Sequence, residues 1–167
     1  DSRKALYAAM GELQETKLED NVGAIENYQR ILSIDPEDAS ALEALDRLYI
    51  ATNDMTNLLE ILERREAISE DDESRINFKF RQAECWYRNL DDCLRAIEVY
   101  NAVFELDPAH EASIASLEEI ISGGGEPAIE AAKVLVPIYQ GLERWEALVK
   151  VYEVLVAGSE DLDELIE

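Results

Sequence analysis

The sequence predicts an all-α chain built as a solenoid of antiparallel helix pairs, and three observations predict it. The phrase "AIENYQRILSIDP" at 24–36 returns as "AIEVYNAVFELDP" at 96–108, 72 residues later. Within each copy the apolar residues fall at helical spacing: Ala24, Ile25, Tyr28, Ile31 and Leu32, then Ala96, Ile97, Tyr100, Val103 and Phe104. The composition is 47% apolar and 32% charged, with only 7 Gly and 4 Pro in 167 residues, the balance of a folded, mostly helical protein.

A gapless alignment of 9–45 with 81–117 gives ten identities, among them Glu12/Glu84, Asp20/Asp92, Tyr28/Tyr100 and Pro36/Pro108. The first pair is therefore expected at about 1–35 and its sister at about 72–107. Asp35 and Asp107 read as N-caps for the helices that follow, with Pro36 and Pro108 at the first helical position. Between these copies, Leu42, Leu45, Leu48 and Tyr49 form one apolar stripe and Leu58, Leu59, Ile61 and Leu62 the next, across a turn at Asn53-Asp54. Leu58 stands where Ala24 and Ala96 stand, so a third, more divergent pair occupies about 37–69, at intervals of 34 and 38 residues. The longer interval is explained by "SEDDES" (69–74), a polar connector whose carboxylates suit a helix N-terminus.

From Ala96 to Leu148 the interval grows to 52. The added residues surround "SGGGEPAIEAAKVLVPIY", read as a helix stop, a turn and a new helix started by Pro127. Helices at about 109–121, 127–140 and 143–157 make this a three-helix variant unit. Pro137 is expected to kink or break the second of them. A further helix is expected at 160–167. The chain has no initiating Met and both starts and stops in helix-like sequence, which reads as a piece of a longer protein.

A helix–turn–helix period of 34 residues resembles the tetratricopeptide repeat (TPR) family. Ala24, Tyr28, Pro36, Leu42, Leu45, Tyr49, Ala96, Tyr100, Pro108, Tyr139, Trp145, Leu148 and Tyr152 carry the resemblance. It implies a right-handed superhelix whose first helices line a concave groove for peptides or extended segments. The small residue of that family at the helix crossing is matched by Gly11 and Ala83 if the turns of pairs one and three hold one extra residue. Pair two has Asp46 there, and Ile31, Arg65 and Val103 replace the family's second small residue. The groove positions carried over are Glu12, Glu15 and Thr16; Glu43, Arg47 and Ile50; and Asn77, Phe80, Glu84, Tyr87 and Arg88. The partner-binding set is taken as Glu43, Arg47, Asn77, Phe80, Glu84, Tyr87 and Arg88. Two alternatives stay open: Phe80 and Tyr87 also belong to a core-like stripe with Ile76, Ala83 and Leu90, and a shifted register would instead present Arg81, Cys85 and Arg88. Trp145 is assigned to packing within its own pair. "RAIEVYNAVFELDP" is also similar to the half-TPR repeats of RNA-processing factors.

Composition narrows the function. Fifteen basic and 38 acidic residues give a net charge of −23, which repels nucleic-acid phosphates and anionic lipid headgroups and attracts basic protein segments. No stretch is apolar over the roughly 20 residues of a membrane span. Cys85 and Cys93, without C-x-x-C spacing, suit a reducing, cytoplasmic setting. His110 is the only histidine, and zinc, calcium, phosphate-loop and nucleophile motifs are absent, so neither catalysis nor a cofactor or metal is expected. The reading is a non-enzymatic scaffold that holds a basic peptide or protein segment in its groove. The alternative is a structural spacer that self-associates through the ends of its array.

Overall fold

The computed structural model describes residues 2–158, so the helix expected at 160–167 lies outside the described residues. These residues form nine α-helices: α1 (Ser2–Lys17), α2 (Asn21–Ile34), α3 (Ala39–Ala51), α4 (Met55–Ala67), α5 (Asp72–Glu84), α6 (Cys93–Phe104), α7 (Glu111–Gly123), α8 (Gly125–Gly141) and α9 (Trp145–Gly158). A π-helical turn, Cys85–Asn89, follows α5. The chain divides into two compact units, one ending at Phe78 and the other beginning at Lys79. In the first, α1 packs on α2, α2 on α3 and α3 on α4; in the second, α8 packs on α6, α7 and α9.

One turn recurs between the helices of each pair. A non-glycine residue adopts the left-handed conformation at Glu19, Asn53, Asp91 and Glu143, with φ of 52°, 55°, 54° and 56°. Each is followed by the residue that opens the second helix, Asp20, Asp54, Asp92 or Arg144. The three aspartates accept N–H bonds three residues on, from Gly23 (3.0 Å), Asn57 (3.2 Å) and Arg95 (3.1 Å), which satisfies donors that a helix start leaves free. The backbone N–H of the capping residue also donates back into the first helix. Asp54 and Arg144 reach Tyr49 and Tyr139, five residues back, whereas Asp20 and Asp92 reach Gln14 and Trp86, six back.

Pairs one and three therefore hold one extra residue. A wider turn absorbs it: Leu18 N–H bonds the Leu13 carbonyl in α1, and Leu90 N–H bonds that of Cys85 across the π turn. The shift places Gly11 and Ala83 at buried crossings. A Cβ on Gly11 would stand 3.0 Å from two carbons of the Tyr28 ring, so α1 and α2 meet this closely only because that position has no side chain. In pair two the corresponding Asp46 is buried and ion-paired with Arg65 of α4, whose guanidinium lies 4.7 Å from the Phe78 ring centre. A charge pair thus stands where pairs one and three have Gly11 with Ile31 and Ala83 with Val103.

The two cores are separate lists of the same residue types. Ala24, Tyr28, Ile31, Leu32, Leu42, Leu45, Leu48, Tyr49, Leu58 and Leu62 are buried in the first unit. Ala96, Ile97, Tyr100, Phe104, Ile114, Leu117, Ala131, Leu135, Tyr139 and Leu148 cluster in the second.

Several local expectations need correction. The caps of α3 and α7 are Asp38 and His110, not Asp35 and Asp107, because the Asp-Pro turn needs three residues to redirect the chain before helix can start. Asp38 accepts from Ala41 N–H (2.8 Å) and His110 Nδ1 from Ser113 N–H (3.2 Å), while Asp35 is held by Lys4 (2.7 Å) and Asp107 accepts from Ala109 (3.0 Å). The 69–74 connector is shorter than read, since Asp71 caps Ser74 N–H at 2.7 Å and α5 begins at Asp72. α8 continues through Pro137. Pro137 and Lys133, whose carbonyl loses its donor there, are both exposed, so water can take the lost bond. Gly124 and Gly125, at φ 73° and 75°, make the turn between α7 and α8 in a region only glycine enters freely. Trp145 does not pack within its pair. It is 58% exposed at the start of α9, and Leu148, Val151 and Leu155 make the inward face instead.

Three stability predictions, read by denaturant titration, test this packing. Gly11→Val should lower unfolding stability by about 1–3 kcal/mol through overpacking against Tyr28. Gly141→Ala, with nothing within 4 Å of the new methyl, should be neutral or stabilising by up to about 1 kcal/mol in the same denaturant titration. Asp46→Ala should cost about 2–4 kcal/mol by stranding Arg65, and Asp46→Ala/Arg65→Leu should recover most of that loss.

Candidate functional site

The sequence-predicted residues are built onto the first helix of each pair, where one face packs on the second helix and the opposite flank stays wet. In the first unit this flank forms a recess of about 600 Å³ lined by Ala8, Glu12, Glu15, Thr16, Tyr28, Ser40, Glu43, Ala44 and Arg47. Glu43 and Arg47 are both exposed on α3, one turn apart. Arg47 spans to Glu15 of α1 through two parallel bonds of 2.8 and 2.9 Å, and this contact raises its pKa. Among the described residues, the Glu12 and Glu43 carboxylates and the Tyr28 hydroxyl have no hydrogen-bond partner. Burial pushes the Tyr28 phenol above its ordinary range, and the Glu15 and Glu12 carboxylates add to the shift while Arg47 opposes it. The recess therefore gathers negative charge, with the exposed Glu12 and Glu43 carboxylates open to a partner.

The second unit carries the same surface 72 residues later, differently furnished. Phe80 stands where Ala8 stands, Glu84 where Glu12, Tyr87 where Glu15, Arg88 where Thr16, Tyr100 where Tyr28 and Glu119 where Arg47. Phe80 is half-buried, its ring 6.1 Å from that of Tyr100 and 5.1 Å, edge-on, from that of His110. Glu84 is committed within the unit: one oxygen accepts from the Tyr100 and Ser116 hydroxyls (2.6 Å for Ser116) and the other from Arg88. Arg88 is exposed and bonds Glu119 of α7 at 3.3 and 2.8 Å, with its guanidinium 5.0 Å from the ring centre of half-buried Tyr87. Both units thus join neighbouring first helices by an Arg–Glu pair, with the order of the charges reversed. Asn77 is exposed on α5 in the first unit.

The structure buries Cys85, so of the shifted set Arg81, Cys85 and Arg88 that residue does not reach the flank, while Phe80 and Tyr87 are partly buried against the core. Sequence reasoning named Glu12, Glu15 and Thr16 as groove positions but left them out of the binding set, and it treated Tyr28 only as core. Extending the 72-residue alignment by one position would have exposed the Ala8/Phe80 difference that leaves the first recess open.

No group of three or more His, Cys, Asp or Glu side chains that could hold a metal occurs among the described residues. No helix among them is long and apolar enough to cross a membrane. No family model matches the sequence, and no curated protein matches it. Among solved structures, the chain is similar to the crystal structure of MamA protein, at 20% identity over 93% of this chain and 91% of that one, with a TM-score of 0.48.

Glu84 gives a pH prediction. Burial pushes its carboxyl up, but the bonds from Ser116, Tyr100 and Arg88 outweigh burial and hold it below the ordinary 4.5. A depressed carboxyl stabilises the fold above its unfolded pKa, and that contribution fades as pH falls through the folded value. Glu84→Gln should therefore be less stable than wild type by about 1–3 kcal/mol at pH 7. The gap, read from urea midpoints, should be constant from pH 6 to 8 and shrink below about pH 4.5.

Proposed function

We propose that this chain is a non-catalytic protein-interaction module that takes a basic segment of another protein against the flank formed by its first helices. The observation that carries this reading is the open recess of the first unit. Its Glu12 and Glu43 carboxylates and Tyr28 hydroxyl lack partners among the described residues, and Arg47 is already spent on Glu15. A lysine or arginine side chain entering there gains two charge-assisted acceptors, with the Tyr28 hydroxyl beside them. Tyr87 and Arg88, with the edge of Phe80, form the proposed contact surface of the second unit, and Asn77 is a separate proposed contact of the first. Glu84 supports that surface by holding Arg88 in place. The net charge of −23 favours fast, salt-sensitive encounter with a basic partner. The TPR resemblance read from the sequence agrees with a binding role for this flank.

The test is retention of cellular proteins on immobilised chain at low and moderate salt, with identification by mass spectrometry. Basic proteins should be retained by wild type, and moderate salt should reduce their recovery several-fold. Glu12→Gln/Glu43→Gln should cut it roughly tenfold with helicity unchanged, and Phe80→Ala/Tyr87→Ala should report on the second surface. Retention that neither salt nor either pair of substitutions alters would rule the reading out.

A further inference from the structure

Two helices present an apolar stripe to solvent, and the repeat explains what each stripe is for. On α9, Trp145, Val149, Tyr152 and Val156 follow one another at intervals of four, three and four residues and are 58, 57, 40 and 53% exposed. Shifted back by 52 residues, the last three coincide with Ile97, Tyr100 and Phe104 of α6, all buried in the second-unit core. Shifted by 90, Val149 and Tyr152 coincide with Leu59 and Leu62 of α4, also buried. The stripe is thus the face that a second helix normally covers with its neighbours, and among the described residues none covers it on α9.

On α1 the exposed residues are Leu6, Met10 and Leu13. Allowing for the extra residue of the first pair, they coincide with Ala41, Leu45 and Leu48 of α3, which are buried in a helix that packs on α2. They also coincide with Ser113, Leu117 and Ile120 of α7, buried in a helix that packs on α6. This is the face a first helix turns toward the second helix of the preceding pair. Charge follows the same division. Arg3 and Lys17 flank the α1 stripe and are exposed, while Glu146 and Glu153 flank the α9 stripe and are exposed.

We propose that the α9 stripe of one copy of this chain docks on the α1 stripe of a second copy, repeating between molecules the second-helix-to-first-helix junction seen between α2 and α3. The contact is heterologous, so copies join head to tail and the assembly grows past a dimer. It uses neither the recess nor the residues proposed for a basic partner. Arg3 and Lys17 meeting Glu146 and Glu153 set the direction and disfavour α9 meeting α9.

Light scattering and sedimentation of the 167-residue chain test this with two face variants, Met10→Glu/Leu13→Glu and Val149→Glu/Val156→Glu. Wild type should gain mass with concentration beyond a dimer. Each variant alone should self-associate on the order of 100-fold more weakly, because it buries unpaired charge. An equimolar mixture of the two should form a 1:1 dimer and stop there, since the intact α9 of one meets the intact α1 of the other and both remaining faces are blocked. Trp145 emission should shift to the blue as that dimer forms. A wild type that stays monomeric, an α1 variant that still dimerises by itself, or a mixture that stays monomeric would overturn the proposal. Serine at the same positions replaces glutamate should either variant lose helicity by circular dichroism.

Discussion

Everything else in this chain hangs on the turn that joins the two helices of a pair. A residue in the left-handed conformation reverses the chain, and the following residue caps the second helix while its own N–H closes the first. Left-handed backbone costs an ordinary residue on the order of 1–2 kcal/mol. Three of the four turns offset that cost with an aspartate that satisfies a helix-start N–H. Because the turn fixes both helix ends, it fixes the rotation of each helix about its axis, and therefore which residues meet at the crossing. The intervals between the turns are the 34, 38 and 52 residues of the sequence repeat.

With the crossing fixed, the chain solves the same steric problem in different ways. Gly11 yields room to the Tyr28 ring, Ala83 sits fully buried, and Asp46 pairs with Arg65. The first two solutions need an extra residue in the turn, and the π turn at Cys85–Asn89 is how the third pair accommodates it. A buried ion pair is a weaker device for stability than apolar packing, but it is costly to break by halves. That asymmetry holds the pairing of α3 with α4.

The differences between the two flanks arise where the repeat is imperfect. Ala8 leaves a recess and Phe80 fills its counterpart against Tyr100 and His110. Glu12 is free where Glu84 is locked by two hydroxyls and a guanidinium. The two units therefore share a scaffold and differ in what their wet flank offers. One is an open acidic site, and the other is a consolidated surface with Arg88 and Tyr87 on show.

The sequence by itself determined the all-α class and the helix-pair repeat, because burial of one face per helix imposes a period that apolar residues such as Leu42, Leu45, Leu48 and Tyr49 display directly. It also showed the Asn53-Asp54 turn. It did not determine the caps after the Asp-Pro pairs, since Asp35 and Asp38 are equally good capping residues and only the path of the turn selects between them. Nor did it settle which flank of α5 faces solvent: a single extra residue rotates a helix face by about 100°, and the π turn that absorbs it has no sequence signature. The exposure of Trp145, the continuity of α8 through Pro137 and the openness of the first recess were likewise decided by tertiary contacts. Each depends on what lies across from a residue, which the spacing of its own helix does not record.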